Sequence, residues 1–196
     1  MNSRKSSEDP TDQEFWRFSL VFYDYPGVAE ALIALQDRAG ANVNLILFAL
    51  WLGISGRGSL AGGLLAAAAQ TAGALGGEIV EPLRALRRKL RDHPDGDVQK
   101  LREAVKALEL AGEKLIQQRL ARLCPPPRSS MPPSDRVAAA GANLAFYLGP
   151  EGVRTSEAAV IRTALAAFAL AAQGRVSVRS LAGETAVRRR KLRPTA

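Results

Sequence analysis

Histidine and cysteine are nearly missing from this chain, with His93 and Cys124 the only examples in 196 residues. A single cysteine excludes an intrachain disulfide and points to a reducing compartment. His93 sits in the polar stretch Asp92-His93-Pro94-Asp95, and Cys124 directly precedes three prolines. Neither shows the Ser-His or Cys-His partnership that nucleophilic catalysis needs, so His93 reads as a turn residue and Cys124 as structural. No Cys-x-x-Cys, His-Glu-x-x-His or carboxylate-rich repeat occurs, so no metal site, cofactor or catalytic residue is expected. The start, MNSRKSSEDPTDQ, has no apolar segment after its charges; no secretory signal is expected, and a cytoplasmic location follows. Aromatic residues make up only 6%, no repeat of fixed period emerges, and the one strand-like stretch is VSVRS at 176–180.

What is present is alanine, leucine, arginine and glycine, a mixture that favours helices. The expected fold class is all-α, a multi-helix bundle with antiparallel helical hairpins and about seven helices. From Asp12, read as an N-cap, Phe15, Phe18, Phe22 and Tyr25 recur at spacings of 3, 4 and 3, one face of a helix that stops at Pro26-Gly27. Val28, Ala31, Leu32 and Leu35 mark a second helix with Gly40 as its C-terminal cap. Residues 42–55 form a third around VNLILFALWLGI. That run is too short for the roughly 20 residues a bilayer requires, so it reads as a buried central helix, and no transmembrane segment is expected.

An alanine-rich stretch follows at 59–91, with a break or kink near Gly76. After it, Ile79, Leu83, Leu86 and Leu90 recur at helical spacing, with Pro82 tolerated in the first turn. HPDGD is a turn. Residues 97–123 place Val98, Leu101, Val105, Leu108, Gly112 and Leu115 on an a/d seam for an antiparallel hairpin or a coiled coil, too short to demand an intermolecular coiled coil, so packing within the chain is expected. CPPPRSSMPPS, residues 124–134, is a semi-rigid linker, and two alanine-rich helices follow at 135–148 and 156–173. The expected organisation is therefore a disordered start at 1–12, a bundle at 13–123, the linker at 124–134, a two-helix extension at 135–173 and a basic, disordered tail at 174–196.

Charge is uneven along the chain. Lys plus Arg against Asp plus Glu count 5 and 8 in residues 1–80, 11 and 7 in 81–122, and 11 and 4 in 123–196, for net charges of −3, +4 and +7. An anionic partner would meet the later parts. Arg84, Arg87, Arg88 and Arg91 form a basic stripe, and Arg188, Arg189, Arg190 and Lys191 lie in the tail, together offering anion or nucleic-acid contacts. A solvated face paired with acids such as Glu81 is the plainer reading of the stripe, and no aromatic residues interleave to stack bases. Gln36, Asp37, Asn42 and Asn44 flank the most apolar helix and could line a polar pocket; as structural residues, Asn42 or Asn44 would cap that helix, and Gln36 and Asp37 would bond backbone or Arg38. GISGRGSLAGG, residues 53–63, with Arg57, matches neither phosphate-loop spacing and reads as an interhelical turn.

The segments FWRFSL (15–20), PGVAEALIALQDRAGANVNLILFALWLG (26–53) and VEPLRALRRKL (80–90) resemble the pattern of an uncharacterised bacterial family of small helical proteins, a domain of unknown function. In it a Leu-Gln-Asp segment precedes a Val-Asn pair, a Trp-Leu-Gly and a Pro-Leu-Arg-x-Leu-Arg stretch. The resemblance covers residues 13–123, implies an all-helical fold and carries no activity across. The functional expectation is a non-catalytic helical protein that binds another macromolecule as a scaffold or adaptor, its partner being protein, or a second copy of itself. Two other readings stand beside it: an electrostatic nucleic-acid or ribonucleoprotein binder using the arginine stripe and tail, and a small-molecule-binding enzyme with a site among the first three helices.

Overall fold

A computed structural model describes residues 10–128 and 130–172, and every regular element in them is helical. The α-helices are α1 (Pro10–Tyr23), α2 (Val28–Ala39), α3 (Val43–Ile54), α4 (Gly62–Leu75), α5 (Glu81–Lys89), α6 (Gly96–Ala121), α7 (Pro133–Gly152) and α8 (Ser156–Ala172). A π-helical turn, Gly76–Val80, joins α4 to α5 without interrupting the helix. Gly62–Lys89 is thus one helix of 28 residues, and the described chain has seven helices, as the all-α expectation required. The strand-like VSVRS lies outside the described residues.

The π turn explains why the expected break near Gly76 is a change of register and not an end. Proline has no N–H and its ring crowds the carbonyl four residues before it. Ahead of Pro82 the helix widens by one residue, and the Glu81 N–H donates to the Gly76 carbonyl, five residues back.

Helix ends follow local chemistry. Pro10 opens α1, where its fixed φ suits a first turn, so Asp12 falls inside the helix and is not the N-cap that the sequence predicted. Gly40, with φ of 64°, closes α2 as expected: its N–H donates to Gln36 and the Ala41 N–H to Leu35. Asn42 caps α3, its Oδ1 accepting from the N–H groups of Asn44 and Leu45 at 2.9 and 3.3 Å.

Two compact units make up the described chain. One combines Phe18–Leu60 with the described part of Pro126–Ala196. Its centre is α3, in which every residue from Asn44 to Gly53 is buried. A helix apolar on all sides must be covered on all sides, and α7 and α2 pack on it while α8 packs on α2 and α7. Gly53 is what brings α7 so close, since a Cβ there would lie 2.2 Å from the Ala140 backbone nitrogen. Phe18, Phe22 and Tyr25 meet Phe168 of α8 with ring centroids 5.2 to 6.3 Å apart.

The other unit combines the described part of Met1–Arg17 with Ala61–Pro125. Here the long helix α4–α5 turns back on α6 as an antiparallel hairpin. Gln99 ties the turn, its Nε2 donating to the carbonyls of Leu90, Arg91 and His93, while the Asp95 side chain caps α6 by accepting from the Asp97 N–H at 2.7 Å. This grouping differs from the expected 13–123 bundle with a separate extension: α7 and α8 belong to the same unit as α2 and α3, because α3 needs their apolar faces. Among the described residues one helix, Gly62–Lys89, is long and apolar enough to cross a membrane.

Candidate functional site

The α5–α6 hairpin has two unlike edges. Helical periodicity fixes them: residues three and four apart share a face, and a neighbour in sequence points about 100° away. Along one edge, Arg84 donates to Glu109 at 3.1 Å, to Glu113 at 2.8 Å and to Glu81 at 2.7 Å, and Arg87 donates to both carboxylate oxygens of Glu109. Burial pushes the Glu109 carboxyl up, but the hydrogen bonds from Arg87 and Arg84 outweigh it and hold the group below its ordinary value. Burial likewise works against the Arg84 charge, and Glu109, Glu113 and Glu81 more than compensate, so its pKa is raised. Arg87 is raised first by its hydrogen bond to Glu109.

The expected basic stripe therefore divides. Arg84 and Arg87 are bound up in carboxylates, with side chains only 15% and 22% exposed, while Arg88 and Arg91 stay exposed. Arg188, Arg189, Arg190 and Lys191 lie outside the described residues. What the structure brings together at Arg84 and Arg87 is a structural ion network.

The other edge is apolar. The seam expected on α6 was Val98, Leu101, Val105, Leu108, Gly112 and Leu115; Val105 and Gly112 are buried, but Leu101 and Leu108 are 54% and 58% exposed. The buried stripe instead runs through Val105, Glu109, Gly112, Ile116 and Leu120. Two contacts set this rotation: the arginines gripping Glu109, and Gly112, whose absent Cβ lets Val80 and Ile79 approach to 3.1 and 3.4 Å of that position. In an antiparallel pair, side chains displaced to the same side of the contact line share an edge. Leu108 is displaced from Glu109 as Leu83 is from Arg84 and Leu86 from Arg87. Ile79, Leu83, Leu86 and Leu90 of the first helix and Leu101, Ala104, Leu108, Ala111 and Leu115 of α6 thus form one apolar edge, with Leu86 42% exposed and no residue of α5 buried.

The remaining expected site residues have structural settings. Asp37 is exposed, Gln36 and Asn42 are half-buried and Asn44 is buried, so the four do not share one surface; Asn42 is the cap of α3, and its N–H donates to the Tyr147 hydroxyl at 2.8 Å. Arg38, suggested as a partner for Gln36 or Asp37, instead donates to Glu157 of α8 at 2.7 Å. Arg57 is turned inward, 5% exposed with its guanidinium 4.7 Å above the Trp51 ring, which removes it from any surface phosphate site. The His93 Nδ1 accepts from the Asp95 N–H in an exposed turn, and the Cys124 thiol faces the Leu120 carbonyl at 3.8 Å. Among the described residues no group of three or more His, Cys, Asp or Glu could hold a metal ion.

Ser19, Glu109, Gln117 and Asn143 are buried polar residues that the sequence reading missed, and Asn143 bridges several elements. Asn143 of α7 accepts from the Leu60 N–H at 2.7 Å and donates to the Ala49 and Gly58 carbonyls at 3.1 Å each, so one amide ties α7 to α3 and to the glycine-rich loop after it. Its signal was present: it is the lone amide in the apolar stretch VAAAGANLAFYL.

Comparison with known proteins adds a family and no activity. A family model described as "Protein of unknown function (DUF2390)" matches residues 14–120. No curated protein and no solved structure matches the chain.

Proposed function

The chain belongs to the DUF2390 family of proteins of unknown function, and from that premise we propose that it is a non-catalytic, cytoplasmic scaffold or adaptor that docks a protein on the apolar edge of its α5–α6 hairpin. The exposure of that edge carries the reading. Leu86, Leu101 and Leu108, with the half-buried Ile79, Leu83, Leu90 and Leu115 and the exposed Ala104 and Ala111, leave an apolar surface of roughly 500 Å², the size of the largest patch on an ordinary monomer, which is often functional. The arginine–glutamate network lies along the contact line between the helices, about 100° round from the leucines, so a docking helix on the apolar edge need not desolvate those charges.

The test is an affinity capture from the native cell with wild-type protein and with the double variant Leu101→Glu/Leu108→Glu, each with and without nuclease. Expected is a defined protein retained by wild type after nuclease and lost with the double variant. Equal retention by both proteins, or retention that disappears with nuclease, refutes the reading.

A further inference from the structure

We infer that the protein docked on this edge is a second copy of the chain, two α5–α6 hairpins pairing about a twofold axis into a four-helix bundle. The inference rests on the docking reading above and names its partner. A four-helix core is built from four apolar rows at a/d spacing, supplied here two by two. Each hairpin carries Ile79, Leu83, Leu86 and Leu90 at spacings of 4, 3 and 4, and Leu101, Ala104, Leu108, Ala111 and Leu115 at spacings of 3, 4, 3 and 4. Two such hairpins face to face supply the four rows, and a twofold contact needs one surface to complement itself.

Area supports the same occupant. Pairing two edges removes up to roughly 1,000 Å² from water in total, the lower limit for a specific interface. Charge does not oppose it. Lys100 at the start of α6 pairs within its own helix with Asp97 at 2.8 Å, Glu103 pairs with Arg102 and Lys106, and Arg84 and Arg87 are held by Glu81, Glu109 and Glu113, while Arg88 and Arg91 are exposed away from the leucine row. Leu110 supplies an internal control: it is 54% exposed, close to Leu101 and Leu108 in degree, but points to the far side of α6.

Analytical ultracentrifugation of the full chain tests this. Wild type is expected to sediment at micromolar concentration as twice its 20.9 kDa. Leu101→Glu/Leu108→Glu is expected to sediment as a monomer with unchanged far-UV circular dichroism. Leu101→Ala/Leu108→Ala keeps the helices and weakens dimerisation at least about a hundredfold, because each truncation is counted twice across the twofold. Leu110→Glu leaves the dimer intact. A monomeric wild type, or dissociation by Leu110→Glu to the same extent as by the double variant, overturns the self-pairing. Monomeric wild type that still captures a different protein through Leu101 and Leu108 defeats the self-pairing alone, whereas capture indifferent to those leucines defeats the docking reading itself.

Discussion

Replacing Gly53 with alanine sets two ordinary effects of opposite sign against each other. In a helix interior, Gly→Ala stabilises by about 1 kcal/mol through backbone entropy. At Gly53 the new methyl carbon would stand 2.2 Å from the Ala140 nitrogen, 2.4 Å from its Cα and 2.7 Å from the Ala139 carbonyl carbon. Ordinary contact begins at 3.4 Å, and the obstacles are backbone atoms that cannot rotate away. Helices α3 and α7 must therefore separate by about 1 Å, and a gap of that size forfeits a quarter to a half of the dispersion well of each contacting pair along the interface. Overpacking of this kind costs about 3 kcal/mol, which exceeds the propensity gain.

Gly73 gives the matched control. It lies inside α4, exposed, with nothing within 4 Å of the position its Cβ would take. Gly73→Ala is expected to stabilise by about 0.5–1 kcal/mol, whereas Gly53→Ala is expected to lower the urea midpoint by about 1 M for a slope of about 2 kcal/mol/M. Both are read by far-UV circular dichroism on the full chain. If the two variants shift the midpoint in the same stabilising direction, the close approach of α3 and α7 is refuted and propensity alone governs both sites.

Asn143→Ala leaves the Leu60 N–H and the Ala49 and Gly58 carbonyls without their partner and is expected to cost about 3 kcal/mol, a fall of about 6–12 °C in Tm for a chain of this size. Asn143→Asp is no rescue, since a carboxylate accepts from Leu60 but faces two carbonyl acceptors; a Tm within 2 °C of wild type, taken as roughly the resolution of the assay, refutes the tie. Glu109→Gln probes the ion network through pH. The Glu109 carboxyl is held low in the folded protein, so its contribution is fully present above the unfolded carboxylate value of about 4.3 and is lost as pH falls through the lower folded value. Arg84 and Arg87, raised by their partners, stay charged throughout that window. The variant is expected to be about 2 kcal/mol less stable at neutral pH and to converge on wild type in acid, read from urea midpoints across pH; a difference that does not change with pH counts against the network.

Local chemistry was legible in the sequence where one residue type admits one role. Gly40 needed positive φ, Asn42 stood where a cap belongs, and the Phe15, Phe18, Phe22 and Tyr25 face is buried as its spacing required. Pairing between distant elements was not legible. Nothing in residues 124–134 says that the helices after the prolines return to cover α3, and the signals for it are small: a glycine at 53, where helix propensity alone favours alanine, and one amide in an alanine-rich stretch. Both act by close approach of backbones, which hydropathy does not register.

The seam on α6 shows why periodicity stops short of packing. From Leu101 to Leu120 the helix carries two adjacent apolar rows, one through Leu101, Leu108 and Leu115, the other through Val105, Gly112, Ile116 and Leu120. Leucine at 108 beats glutamate at 109 on any hydropathy scale, so a sequence reading puts Leu108 inside. In the hairpin Glu109 is the buried one, because two arginines from α5 satisfy its carboxylate and Gly112 allows the long helix to close over that side. A charge with two partners is cheaper to bury than a leucine is to leave exposed only if the leucine has somewhere else to go. The row through Leu101 and Leu108 is therefore left exposed at 54% and 58%, and it is the surface on which the proposed pairing rests.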